Sequence, residues 1–176
     1  MDAKSAGNPV YLVGLTKDEL GGSQYYKMFG FTGNRVPKVD PFYGRRVMKS
    51  LHKAIVSGCV ASCHDCSDGG MAVALAEMAF AGGLGMKIHM GLHNKPAGQE
   101  MLSARALLFS ESNTRFIVEI RDEKKFLKLI GNTPVWKIGI VSKDKSFKIY
   151  DHKNKLIVNT DIGSLKSSWQ KTFKDT

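Results

Sequence analysis

Between Cys59 and Ala79 the chain passes through three chemically distinct stretches in about twenty residues. A short apolar run, Cys59-Val60-Ala61-Ser62-Cys63, has the character of a buried strand. It breaks into a polar turn, His64-Asp65-Cys66-Ser67-Asp68-Gly69-Gly70, and then becomes the alanine-rich amphipathic stretch Met71 to Ala79. This is a strand–turn–helix unit. It requires a helix to lie back on a sheet, and its turn presents backbone N–H groups at a helix N-terminus, an arrangement suited to anions.

The flanking sequence extends the pattern. Tyr11 to Leu15 reads as a buried strand ending in Thr16-Lys17-Asp18-Glu19-Leu20-Gly21-Gly22-Ser23, with Ser23 able to cap a short helix from Gln24. Residues 30–40 form a loop. Asp40 as N-cap and Pro41 at the first helical position then open a helix whose apolar face is Val47, Met48, Leu51, Ala54 and Ile55, stopped by Gly58. The Met71–Ala79 stretch predicts a helix over 70–81. Residues 85–90 predict a strand, 91–98 a loop and 99–108 a helix. Alternation and β-branching predict a strand over 115–120, and 122–130 forms a helix stopped by Gly131. Strands follow at 136–141, 147–150 and 156–158, and Ile162, Leu165 and Trp169 stand at helical spacing near the end. There are no internal repeats. The chain therefore reads as one α/β (α+β) sandwich, a mixed β-sheet flanked by helices, over residues 11–176 after a loose segment at 1–10.

Composition narrows the class. With 176 residues and 43% hydrophobic content the chain can bury a substantial core. No apolar run reaches the roughly 18 residues of a membrane helix. The start, Met1-Asp2-Ala3-Lys4-Ser5, lacks the apolar centre of a signal peptide, so the cytoplasm is the expected compartment and no membrane partner is expected. The net charge of +10 is spread over lysines with acids between them, without an aromatic-plus-basic platform. This favours a solvated basic surface, or one that attracts phosphorylated metabolites, over nucleic-acid binding. Cys59, Cys63, Cys66 and His64 lie at distances a metal could use. However, neighbouring strand residues point to opposite faces and a second ligand pair is lacking, so these cysteines read as packing residues and no metal site is assigned. His52, His89, His93 and His152 have no metal-like spacing, and no nucleophile elbow accompanies any serine. No catalytic residue is assigned.

Three polar turns remain: Thr16–Ser23, Asp65–Gly70 and Ser110–Arg115. Their small side chains, N–H groups and carboxylates suit a phosphorylated ligand. No Walker motif is present, and Gly82-Gly83 with Gly85 follows a helix, unlike a dinucleotide fingerprint. The candidate binding residues are Glu19, Gly21, Gly22 and Ser23; Asp65, Ser67, Gly69 and Gly70; and Ser110, Glu111, Ser112, Asn113 and Arg115. Asp65 and Asp68 suit magnesium or a ligand hydroxyl, with capping of the following helix the favoured role for Asp68. Glu111 and Arg115 suit either a salt bridge that orders their turn or, for Arg115, a phosphate contact.

These turns, in this order, resemble the C-terminal domain of the aminoimidazole ribonucleotide synthetase superfamily, and within it the phosphoribosylformylglycinamidine synthase family. The phrases are Leu15 to Ser23, His64 to Gly70, Ala72–Phe80 continued by Ala81-Gly82-Gly83-Leu84-Gly85, Phe109 to Phe116, and Leu165-Lys166-Ser167-Ser168-Trp169. Together they cover about residues 9–172. The resemblance implies an ATP-dependent C–N ligase of purine biosynthesis, with ATP and magnesium in the full enzyme and formylglycinamide ribonucleotide as the phosphorylated substrate. It also implies partners outside this chain. These are N-terminal domains that supply most nucleotide and metal ligands, and a glutaminase domain or subunit that delivers ammonia; a dimer is left open. This chain corresponds to the last C-terminal half-domain, a fragment expected to be inactive alone. Duplicated modules in the family carry one catalytic and one structural nucleotide site, and the Ser110–Arg115 turn suits either. The alternative is a structural assembly module with a vestigial nucleotide pocket.

Overall fold

The computed structural model describes residues 1–91 and 102–171. The loop expected at 91–98 lies almost entirely outside them, as does the start of the helix expected at 99–108.

The chain folds as β1 (Pro9–Val13), α1 (Gln24–Met28), α2 (Pro41–Val56), β2 (Val60–Asp65), α3 (Gly70–Gly82), β3 (Gly85–His89), α4 (Ala104–Phe109), β4 (Phe116–Ile120), α5 (Glu123–Ile130), β5 (Val135–Ser142), β6 (Ser146–Tyr150), β7 (Leu156–Asp161) and α6 (Ile162–Lys171). The seven strands form one sheet in the order β2-β4-β1-β5-β3-β6-β7. All neighbours are antiparallel except β3 and β6, so the sheet is mixed, as expected. Among the described residues no helix is long and apolar enough to cross a membrane.

Strand alternation divides the core between the two faces. Val10 and Leu12 of β1 join Met71, Leu75 and Met78 of α3 in one apolar cluster. Tyr11 and Val13 join Val47 and Leu51 of α2 and Phe126 and Ile130 of α5 in the other. Helices therefore cover both faces of the sheet around β2, β4 and β1. The local signals hold where they are strongest. The Ser23 hydroxyl caps α1, and the Asp40 carboxylate caps α2 with Pro41 in its first turn. Two residues depart from the expected apolar face of α2: Met48 is 54% exposed and Ile55 44%.

The N-terminal segment is not loose. Ala3 is buried and its N–H donates to the Met78 carbonyl at 2.9 Å. The Gly7 N–H donates to the Val141 carbonyl, and the Val141 N–H donates to the Asn8 carbonyl. The anchor is Glu119 on β4, a fully buried carboxylate. It accepts from the backbone N–H groups of Lys4 (2.8 Å) and Ser5 (2.9 Å), from Asn8 Nδ2 (2.7 Å) and from Ser62 Oγ (3.1 Å). Composition makes residues 1–8 look unstructured because their partner lies more than a hundred positions away.

A carboxylate satisfied by four donors is expensive to remove. Glu119→Ala leaves those donors unpaired and is expected to lower the unfolding free energy by about 3 kcal/mol, read as a lower urea midpoint. A change below about 1 kcal/mol would show that the N-terminal segment does not depend on it.

Candidate functional site

The three polar turns meet at one end of the sheet, where β1 ends, β2 runs into α3 and β4 begins. Two residues of the third turn join them. The Glu111 carboxylate accepts from the Gln24 N–H and the Gly69 N–H, both at 2.9 Å, so one oxygen spans the first and second turns. Arg115 is 1% exposed. Its guanidinium donates to the carbonyls of Ser112 and Ser110 and to Thr16 Oγ1. Burial lowers its pKa, opposed by the nearby Cys66, Glu19 and Glu111. No salt bridge joins Glu111 to Arg115; each of the three Arg115 nitrogens donates to a protein oxygen, which uses three of its five N–H donors.

The serines of the third turn are joints. Ser110 Oγ donates to the Lys17 carbonyl and accepts from the Glu19 N–H, and Ser112 Oγ accepts from the Lys17 N–H at 3.1 Å. In the first turn, the N–H groups of Gly21, Gly22 and Ser23 donate to the carbonyls of Arg35, Thr32 and Leu20. A Cβ at Gly21 would stand 2.7 Å from the Arg35 backbone, so glycine is required there by close approach. Those three amides are not free to hold a phosphate. Glu19 is 8% exposed; its Oε1 lies 3.3 Å from the Lys38 N–H, and its Oε2 has no hydrogen-bond partner among the described residues.

The second turn is more open. The N-cap of α3 is Gly69, at φ +75°, and no side chain caps the helix. Asp68, favoured as the cap from the sequence, does not perform that role. A side chain on Gly70 would collide with the Ser110 and Leu108 carbonyls, which fixes how closely the second and third turns approach. The Asp65 carboxylate accepts from the Ser67 hydroxyl, which holds its pKa below the usual range.

A cavity of about 540 Å³ opens beside these turns. Of the sequence candidates, Asp65, Ser67, Glu111, Asn113 and Arg115 line it, together with Asp68, Thr114 and Met48. Glu19, Gly21, Gly22, Ser23, Gly69, Gly70, Ser110 and Ser112 do not; they build its frame. A neighbouring cavity of about 730 Å³ shares Met48 and Thr114 with the first and is rimmed by Arg45, Lys49, His52 and Lys53 of α2. Sequence reading missed this half. Its signal was α2 itself, which carries four Lys or Arg and no acid between Pro41 and Val56. It also missed Thr114, a β-branched residue at φ +60°. Such backbone is strained by about 1–3 kcal/mol and persists only where packing enforces it.

Among the described residues no group of three or more His, Cys, Asp or Glu side chains is placed to hold a metal. Burial pushes the Cys63 and Cys66 thiols up to about 11. Both are therefore protonated near neutral pH, unsuited to attack or to metal ligation until deprotonated.

Comparison with known proteins bears on the family and the fold. The model of the C-terminal domain of AIR synthase related proteins matches residues 5–152. Phosphoribosylformylglycinamidine synthase subunit PurL of Thermococcus sibiricus is 34% identical over 95% of this chain and 23% of its own length. The subunit of the same name from Methanocaldococcus jannaschii is 34% identical over 95% and 22%. The chain thus spans less than a quarter of the length of these relatives. Among solved structures, T. maritima PurL complexed with FGAR superposes over 93% of this chain and 28% of its own, with a TM-score of 0.76 at 19% identity. E. coli HypE superposes over 92% of this chain and 51% of its own, with a TM-score of 0.61 at 19% identity. At such identities the superpositions speak for the fold alone.

Two outcomes test this local chemistry. Arg115→Ala orphans three buried acceptors and is expected to cost about 3 kcal/mol of stability, against about 1 kcal/mol for Glu111→Ala; equal urea midpoints for the two variants would contradict the arrangement. In the native protein, iodoacetamide should alkylate Cys63 and Cys66 slowly at pH 7.5 and faster only as pH approaches 11, whereas unfolding should release both at once. Rapid native labelling at pH 7.5 would contradict their burial.

Proposed function

The chain belongs to the family of AIR synthase related proteins, as their C-terminal domain, and from that premise we propose that it is a substrate-binding half-module of a phosphoribosylformylglycinamidine synthase. That enzyme is an ATP-dependent, amidine-forming C–N ligase of purine biosynthesis, and the cytoplasm is the matching compartment. One observation carries the substrate role: two adjoining cavities, one lined by three carboxylates and Arg115, the other by four basic side chains and Asp40. Asp65, Asp68 and Glu111 line the first, where carboxylates accept from hydroxyl and amide donors. Arg45, Lys49, His52 and Lys53 rim the second, where cations favour a phosphate. Formylglycinamide ribonucleotide carries an amide and ribose hydroxyls at one end and a phosphate at the other, a pattern that spans both.

In the reaction the resemblance implies, the amide oxygen is phosphorylated by ATP and ammonia then displaces the phosphate. The work assigned to this chain is binding and orientation: the carboxylates hold the ribose–amide end, the α2 cations hold the phosphate, and the rigid turns limit movement of the amide. Magnesium would neutralise charge on the phosphates of ATP. Among the described residues Asp65, Asp68 and Glu111 line the first cavity without forming a cluster fit to hold a metal, so the magnesium ligands, the nucleotide contacts and the ammonia source are assigned to companion domains. The competing reading, a structural module with a vestigial pocket, draws on one feature: the Gly21, Gly22 and Ser23 amides are all engaged by the protein.

Titration calorimetry separates the two. The chain should bind formylglycinamide ribonucleotide, with affinity falling about tenfold in Lys49→Ala/Lys53→Ala, a loss of about 1.4 kcal/mol. It should show no ATP-dependent turnover until the companion domains are added. Absence of binding even with those domains present would favour the structural module, and full turnover by the isolated chain would refute the half-module.

A further inference from the structure

Left-handed backbone in this chain is taken by glycines and, among the described residues, by two others: Asn154 at φ +58° and Thr114 at φ +60°. Asparagine visits this region readily because its short polar side chain bonds locally; a β-branched residue does so only under constraint. The turn explains why position 114 is left-handed. The chain must double back so that Arg115 can donate to the Ser110 and Ser112 carbonyls just before it. Glycine would meet that demand without strain. A threonine in its place keeps the strain and adds only a side chain.

The surroundings are shaped around that residue. A Cβ on Gly14 would stand 2.2 Å from the Thr114 carbonyl oxygen, so the position that follows β1 carries no side chain where the turn passes. Gly44, buried near the start of α2, leaves room on the other side: a Cβ there would stand 3.3 Å from Thr114 Oγ1 and 3.8 Å from its Cγ2. A glycine within a helix weakens it. The side chain so accommodated is only partly buried, and its hydroxyl has no hydrogen-bond partner among the described residues. Thr114 lines both paired cavities, with the carboxylates in one and the α2 cations in the other. Met48, the other residue common to both, offers only a thioether, a weak acceptor.

We propose that Thr114 is the contact that joins the two halves of the ribonucleotide site: its hydroxyl donates to an oxygen of the ribose–phosphate link in a ligand spanning both cavities, and its strained backbone is kept for that contact. The proposal rests on the reading of the paired cavities as one ribonucleotide site. Strain of this kind gathers where a ligand is held, and relieving it trades function for stability. Affinity and stability should therefore respond to substitution in opposite directions. A residue that only packs α2 against the rim would lose both together.

The test pairs titration calorimetry against formylglycinamide ribonucleotide, companion domains present, with urea unfolding of the chain. Thr114→Gly relieves the backbone, so its urea midpoint should stay level or rise while the Kd rises about tenfold, the size of one hydrogen bond to a charged group. Thr114→Val keeps the shape without the hydroxyl and should show the same loss. Thr114→Ser keeps the hydroxyl and should bind within about twofold of the unaltered chain. Asn154→Gly, at the other left-handed position and outside both cavities, should leave affinity intact. Binding that survives both Thr114→Gly and Thr114→Val would overturn the contact while leaving the ribonucleotide site standing. A lower urea midpoint in Thr114→Gly, or loss of affinity in Thr114→Ser, would replace it with a packing role for the side chain. No binding of the ribonucleotide by the unaltered chain would overturn both the contact and the site.

Discussion

A buried guanidinium holds this end of the molecule together. Arg115 is the largest fully buried side chain among the described residues, and it stands where β4 begins, donating to Thr16 beyond β1 and to Ser110 and Ser112 of its own turn. Burying a cation is tolerated only when its donors are satisfied, so the three acceptors must be held at fixed positions. That requirement passes outward. Ser110 and Ser112 fix Lys17 and Glu19, Glu111 fixes Gln24 and Gly69, and the Cys66 N–H donates to the Arg115 carbonyl. Three loops far apart in sequence become one rigid rim. The cavities beside it owe their shape to this rim, and the strained backbone of Thr114 sits in the wall they share.

Rigidity separates two roles that look alike in the sequence. All three turns carry serine and carboxylate, and the first two add paired glycines, a composition that suits an anion. In the first turn the N–H groups of Gly21, Gly22 and Ser23 are engaged by carbonyls of the 32–35 loop and of Leu20, so it serves as frame. The second turn leaves the N-terminus of α3 without a side-chain cap and carries the carboxylates that face the cavity. The phosphate-friendly charge lies elsewhere, on α2. Basic and acidic side chains are thus concentrated in neighbouring cavities, the division on which the proposed function draws.

Much of the fold was legible because its determinants are local. The Ser23 and Asp40 caps, Pro41, Gly58, the alternation in Phe116–Ile120 and the apolar spacing of α3 each act over a few residues, and each element appears within a few positions of its expected place. What escaped was long-range. The order β2-β4-β1-β5-β3-β6-β7 depends on pairings between distant segments. The anchoring of residues 1–8 depends on Glu119, and the exposure of Met48 and Ile55 depends on where α5 packs against α2. At the candidate site, residue types picked out three turns that the fold brings together, but only backbone geometry shows which amides the protein engages, that Gly69 rather than Asp68 occupies the cap, and that Arg115 is buried.

The central claim is that the rim and α2 together present one binding surface for a phosphorylated ribonucleotide. Amide chemical-shift mapping of the chain with formylglycinamide ribonucleotide tests it most directly. The account predicts shifts in two groups at once: Ser67, Asp68, Asn113 and Thr114 around the acidic cavity, and Arg45, Lys49 and His52 along α2. Shifts confined to the groove between α3 and α6, around Phe80 and Leu165, would contradict it.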